Sequence, residues 1–246
     1  MTQKSMQAFV FFTIIVLWGY FSFPYEILQV SEGNEVRYAF TPNAKAYVLS
    51  YGVTILLTFC AVCIGLVFGF ILALIRFSPF GVLNFIVDEF IDIIRGTPVI
   101  LQLMIFAFVI FTFFDNLYAA ILALGLNSSA YIAEIVRSGI NSVDKGQMEA
   151  ARAMGLDYQS TMREIILPQA LKNILPALAN EFISLFKETS VVGFISVVDI
   201  TMQSKSLQAA LYNPKPIIFT GLVYYVSVKI FSLGVRLLEK RLNKND

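Results

Sequence analysis

Uncharged apolar runs alternate with short polar stretches along most of this chain. Ser5 to Tyr25 carries no charge and follows Lys4. It has the basic start and apolar body of a signal sequence but no A-x-A cleavage pattern, so it reads as a retained first span. Glu26 to Lys45, with Gly33, Asn34 and Pro42, reads as a polar loop. Val48 to Ile75 is uncharged and long enough to cross a bilayer with some tilt. Arg76, Ser78, Pro79 and Gly81 close it with a turn. From Asn84 to Ile94 the pattern is amphipathic, and Asp88, Asp92 and Arg95 fall at i, i+4 and i+7 on one face. That predicts an interfacial half-helix with its own ion pairing, a solvated helix end rather than a substrate site. Gly96-Thr97-Pro98 interrupts it, and Pro98 to Phe114 is apolar, roughly 26 Å of helix. Asp115-Asn116 is a short turn. Leu117 to Ala133 is a fourth span with Asn127, Ser128 and Ser129 near its middle, and Glu134 and Arg137 mark its exit.

The stretch Gln147 to Pro176 is the longest predominantly polar one between apolar runs. Glu149 to Met154 predicts a short helix, with Ala150, Ala151, Ala153 and Met154 as a small-residue surface. Gly155 can adopt positive φ and end that helix. A second helix fits Tyr158 to Leu167, with Met162, Ile165 and Ile166 at helical spacing. Pro168 and Pro176 limit how far any helix runs unbroken. The result is a compact helix–glycine–helix knob that another protein's surface can approach closely, or, more plainly, a solvated loop.

Asn173 to Val198 predicts the fifth span, and it is not purely apolar. Asn180, Glu181, Ser184, Lys187 and Glu188 fall within an arc of about 120° on a helix. Charge inside a membrane faces a polar interior or a water-filled path, so this stripe is a candidate substrate pathway; a structural ion pair explains it equally well. Asp199 to Pro216 reads as a loop. Ile217 to Leu238 is the last span, with Lys229 able to extend its ammonium to the nearer surface.

Composition changes the picture in two ways. At 246 residues, 57% of them hydrophobic, and with a mean hydropathy of +0.73, the chain is a membrane protein. Its net charge of +1 gives nucleic acid nothing to bind, and its lack of histidine excludes a His-dependent triad, an imidazole zinc site or a histidine-held haem. Cys60 and Cys63 have no further Cys or His to complete a metal site and read as core thiols. The basic residues set an orientation. With the amino terminus inside, Lys4, Arg76, Arg137, Lys145, Arg152, Arg163, Lys172, Arg236, Lys240, Arg241 and Lys244 are cytoplasmic. Arg37, Lys45, Lys205 and Lys215 are outside. That bias supports six spans with both termini, and the knob, in the cytoplasm.

Glu149-Ala150-Ala151, Gly155, Ile165, Leu167 and Pro168 match every fixed position of E-A-A, three residues, G, nine residues, I-x-L-P. The stretch resembles the EAA signature of ABC-importer permeases. Arg95-Gly96-Thr97-Pro98 with Gln102, Ala130-Tyr131-Ile132-Ala133-Glu134 with Arg137, Gly146-Gln147 and Lys187-Glu188-Thr189-Ser190 resemble the polar amino acid uptake branch, the histidine and glutamine permease type. Glu188 stands where aspartate is expected.

The resemblance covers roughly 53–238. It implies an all-α polytopic membrane bundle, a five-span permease core over 48–246 with coupling helices at 144–170. The extra span and loop at 1–47 lie outside that core. It further implies a bacterial cytoplasmic-membrane location and a second permease subunit, identical or related. Two cytoplasmic ATPase subunits are expected to take the knobs, and an extracytoplasmic binding protein to deliver an amino acid. Glu149, Ala150, Ala151, Gly155, Ile165, Leu167 and Pro168 then become the coupling residues. On this reading Glu181 or Glu188 accepts the substrate ammonium, and Asn180, Ser184 or Lys187 donates to its carboxylate. No cofactor is implied, and no G-x-x-x-x-G-K-[ST] phosphate loop occurs in the chain.

A secondary transporter or channel would also show six spans and buried charge, yet would not need a knob of this spacing. An intramembrane protease would need His or a Gly-x-Gly-Asp run, both absent. A membrane scaffold would not need the polar stripe.

Overall fold

The computed structural model describes residues 3–32, 35–39 and 41–242, without the side chains of 3, 4, 30–32, 35 and 36. The expected Gly33–Asn34 turn and Lys244 lie outside the described residues, as does the Lys4 side chain.

Among the described residues, ten helices and one hairpin follow in order. They are α1 (Gln3–Ser22), β1 (Gln29–Glu32), β2 (Glu35–Tyr38), α2 (Pro42–Arg76), α3 (Gly81–Gly96), α4 (Val99–Ile105), α5 (Asn116–Asn141), α6 (Lys145–Ala153), α7 (Tyr158–Thr161), α8 (Leu167–Glu188), α9 (Ile200–Leu211) and α10 (Lys215–Leu242). Of these, α1, α2, α5 and α10 are each long and apolar enough to cross a membrane. The pair made by α3 and Val99–Ile110 turns through 107° and qualifies as a fifth crossing if taken as one broken span. The 22 residues of α8 span roughly 33 Å, and its polar stripe keeps it below the hydropathy of the others.

The α2–α5 pair is the spine. Gly65 and Gly69 sit one turn apart on α2, and a Cβ on either would come within 3 Å of Ser128 or Ile132 on α5; Gly125 returns the same fit against Ile64. Small residues at this spacing let two backbones approach where water provides no drive to associate. Leu57, Ala61, Leu103, Ala119, Ala123, Leu124, Leu185 and Val192 fill the core beside that seam.

Several expectations are corrected. The segment Glu26 to Lys45 is not simply a loop: a short 3-10 turn leads into the antiparallel β1–β2 hairpin, with Gln29 opposite Tyr38. The segment Asp199 to Pro216 contains α9. Asp199 is the cap, accepting from the backbone N–H groups of Met202 (2.9 Å) and Thr201 (3.1 Å), while Ile200 and Leu207 bury one face. The fifth helix does not run to Val198. It stops at Glu188, tightens into a 3-10 turn over Thr189–Ile195, and ends at Ser196 in the left-handed region. Nor does the second knob helix stop at Pro168. A wide π-type turn over Met162–Ile166 precedes the proline, which occupies the first turn of α8 where its missing N–H costs nothing. Cys63 is exposed and Cys60 half-buried, so the thiols line the apolar flank of α2 rather than its core. Lys229 is exposed, and its ammonium lies 5.2 Å from the Phe11 ring centroid and 5.5 Å from that of Tyr225.

Candidate functional site

The knob follows directly from capping chemistry. Asp144 opens α6 by accepting from the Gly146 amide at 2.7 Å, and Asp157 opens α7 by accepting from the Ser160 amide at 3.0 Å. Hydrogen bonds from Ser160 hold the Asp157 carboxyl below the ordinary aspartate range. Between the caps, Gly155 has φ +90°. Its amide reaches the Arg152 carbonyl at 3.0 Å, and the Leu156 amide reaches the Ala151 carbonyl at 3.2 Å. This pair of bonds is a Schellman stop, which satisfies the last carbonyls of α6 and fixes its angle to α7. Ala151 is fully buried against the following segment, whereas Glu149, Ala150 and Gly155 are exposed. The expected small-residue surface therefore consists of Ala150 and Ala153 with Met154, and Ala151 packs the knob internally. Ile165 is half-buried, and Leu167 and Pro168 are exposed.

The knob is fastened to the bundle on both sides. Asn173 donates to Ser142 Oγ at 2.8 Å, and Gln169 to Gln147 Oε1 at 3.4 Å. A Cβ on Gly139 would overlap Ile174, so α5 and α8 touch at the knob's base. A groove of about 680 Å³ runs beside it, lined in part by Asp144, Lys145, Met148, Glu149, Tyr158 and Met162.

The polar stripe of α8 divides. Asn180 and Lys187 are exposed, while Glu181, Ser184 and Glu188 are half-buried. Glu181 turns inward and accepts from Ser128 Oγ on α5 at 2.9 Å. The stripe is thus not one open wall: part of it ties α8 to the middle of α5.

Two further polar clusters tie the helices of the bundle together. Gln102 plugs the break between α3 and α4, donating to the carbonyls of Ile94 (2.7 Å) and Thr97 (3.2 Å) and accepting from Asn127 at 2.9 Å. Arg76 joins Asp88 (2.6 Å) to Glu134 (2.8 Å), and Arg137 also pairs with Glu134. The ion pairing expected within α3 is thereby corrected: Asp88 pairs across to α2, and Arg95 stacks on Tyr131, 5.4 Å from its centroid. Sequence reasoning misses Gly65, Gly69 and Gly125 as packing residues, although the Gly-x-x-x-Gly spacing on α2 is a signal that could find them. It also misses Asp199 as a helix cap.

A polytopic helical bundle with a rigid, exposed helix–glycine–helix knob and a polar helix at its centre defines a membrane transport subunit worked by a separate partner. Residues 65–244 match the family described as binding-protein-dependent transport system inner membrane component, and the chain belongs to it. It is therefore a permease subunit of an ABC importer, a transport component that works with an ATPase and a substrate-binding protein. It is 42% identical over 199 residues to the arginine transport system permease protein ArtQ of Bacillus subtilis, covering 79% of this chain and 91% of that protein. It is 37% identical over 208 residues to the putative glutamine transport system permease protein GlnP of Rickettsia bellii, covering 82% and 95%. A crystal structure of an amino acid ABC transporter with histidines superposes with a TM-score of 0.77 at 39% identity, covering 80% of this chain and 94% of that one. The MetNI methionine ABC transporter in an inward-facing conformation shares the fold, with a TM-score of 0.72 at 21% identity.

Proposed function

We propose that this permease carries a polar amino acid across the cytoplasmic membrane, as one of two such subunits in a complex with two ATPase subunits. The second permease is a further copy of this chain or a related one. Both termini and the knob lie on the cytoplasmic side, and six crossings are made, with α8 the fifth. An extracytoplasmic binding protein presents the amino acid at the opposite end. Residues 1–47 form an accessory unit, and 48–246 the permease domain.

The observation that carries this reading is the stiffness of the knob. Its two aspartate caps, its Schellman turn at Gly155 and the Asn173–Ser142 and Gln169–Gln147 ties let it transmit a push without bending. Glu149 and Ala150 are exposed for the ATPase, with Ile165, Leu167 and Pro168 forming the stem. Along α8, Asn180, Glu181, Ser184, Lys187 and Glu188 make the passage polar, and the Ser128–Glu181 contact holds that helix against α5.

The test is co-expression of this chain with its genomic neighbours, followed by copurification and uptake of labelled amino acids into vesicles. An ATPase should copurify, and Gly155→Asp or Glu149→Lys should abolish the stimulation of ATP hydrolysis by loaded binding protein while the subunit stays inserted. Normal stimulation in those variants would overturn the lever.

A further inference from the structure

Four charged side chains around the knob-side half of α5 balance one another. Arg76, Asp88, Glu134 and Arg137 form one connected network of two cations and two anions. Arg95 stands outside it. Among the described residues no carboxylate pairs with it, Asp92 one turn back included. Its guanidinium lies instead on the Tyr131 ring. A stacked guanidinium keeps its N–H edge free and oriented, the geometry that binds a carboxylate through two parallel bonds.

Arg95 and Tyr131 line a cavity of about 330 Å³ with Glu134, Ser138, Ser142 and Asn173. Asn173 uses an amide hydrogen on Ser142 Oγ (2.8 Å), and Ser142 gives its own hydrogen to the Gly139 carbonyl (2.7 Å). Asn173 Oδ1 is left as an acceptor. The cavity thus offers an unpaired cation on one wall and a neutral acceptor on another, and its remaining charged lining group, the Glu134 carboxylate, is already matched by Arg76 and Arg137. The cavity runs along α5 from Tyr131 to Ser142, so that its far end meets the Asn173–Ser142 tie at the base of the knob. It also continues the polar face of α8: Asn173, Ala177, Asn180, Ser184 and Lys187 follow one another at i, i+4, i+7, i+11 and i+14.

We propose that this cavity is an inner binding station for the transported zwitterion, with Arg95 holding the α-carboxylate and Asn173 Oδ1 accepting from the ammonium. This rests on the amino acid transport reading, and it uses only the two groups every amino acid carries. The station is independent of the Glu181 region further along α8.

The experiment uses the complete transporter in vesicles, with Cys60 and Cys63 replaced by alanine and Ala177→Cys as a reporter in the cavity wall. The amino acid taken up by the parent complex should slow labelling of that reporter by a thiol reagent, and its decarboxylated amine should not. Arg95→Gln should remove the protection and lower uptake about tenfold, the loss of one charged hydrogen bond or more; Arg95→Lys should fall between. Equal protection by the amine, or unchanged protection and uptake in Arg95→Gln, would overturn the proposal. Protection that follows the phosphatidylglycerol content of the vesicles rather than the amino acid would assign the site to an anionic lipid and overturn it as well. If the parent complex takes up no amino acid, the transport reading itself fails; if it does and only the reporter is silent, this station alone fails.

Discussion

Asn127 on α5 donates to Gln102 on α4 at 2.9 Å, with both side chains buried. Through this bond the centre of one crossing holds the break in another. Gln102 in turn covers the carbonyls that α3 leaves unpaired where Gly96-Thr97-Pro98 stops it. In lipid no water replaces those bonds, so the 107° turn depends on this carboxamide together with the Thr97 hydroxyl, which donates to the Ile93 carbonyl at 2.9 Å.

Gln102→Leu should therefore cost about 1–3 kcal/mol, the penalty for leaving buried polar groups unmet. The purified protein in detergent should melt lower, and Asn127→Leu added to it should cost little more, because its partner is already gone. Full additivity of the two losses in a double-mutant cycle would show that the bond does not do this.

A Cβ on Gly155 would meet nothing within 4 Å, so space does not restrict this position; its φ of +90° does. Uncharged substitutions should then rank by backbone tolerance, with Asn mildest, Ala worse and Val worst, over a range of about 1–3 kcal/mol, while Asp adds a charge on the exposed knob surface to its backbone cost. The readout is the stimulation of the partner ATPase. Equal loss in all three uncharged variants would mean that contact with the partner, rather than the angle between α6 and α7, is what the glycine protects.

The EAA stretch is legible in the sequence through its motif spacing and its glycine stop, which is local chemistry, whereas the two aspartate caps and the place of Pro168 in the first turn of α8 emerge only from the structure. The apolar crossings α1, α2, α5 and α10 are legible as well, each being long and apolar through its middle. The rest needs three dimensions. Arg76 lies 12 residues from Asp88 and 58 from Glu134, and no periodicity connects them. The α9 segment reads as loop because Asn213-Pro214 dominates it. Its real signal is Asp199 ahead of a helix-compatible run, which ends at Tyr212 in a left-handed conformation. The α8 stripe is visible, but its division is not, since Ser128 reaches Glu181 from another helix.

Glu134 should matter more than Asp88 within the shared network. Its side chain is 20% exposed and meets two guanidiniums, whereas that of Asp88 is 48% exposed and meets one. Removing the charge from the less exposed partner strands two cations, and solvent compensates the other site more. Glu134→Gln should lower stability by about 2–4 kcal/mol and Asp88→Asn by less than about 1. Melting temperatures in detergent decide the order, and a larger loss for Asp88→Asn would reverse the argument.

At the base of the knob, Gly139 admits Ile174 where any Cβ would collide. Gly139→Ala should therefore cost about 1–3 kcal/mol from overpacking. Ile174→Ala alone should cost about 2–5 kcal/mol from its cavity. Combined, the two should cost at least about 1 kcal/mol less than their sum, because each relieves the other's fault. Simple addition would mean that α5 and α8 can slide apart there, and a lever on such a base would transmit nothing.

Lys229 poses a competition whose winner can be named in advance. It lies near the middle of the 28 residues of α10, where an ammonium costs about 2.5–3.5 kcal/mol in the bilayer centre. The Phe11 and Tyr225 rings beside it return about 0.5–2 kcal/mol. The cost exceeds the return, so Lys229→Leu should leave the permease as stable or more stable in lipid nanodiscs, and α1 should stay docked through Trp18 and Tyr225, whose ring centroids are 6.1 Å apart. Crosslinking between α1 and α10 measures the docking directly. If the leucine variant melts lower and releases α1, the cation holds the accessory helix, and the aromatic return at this site is larger than the desolvation it offsets.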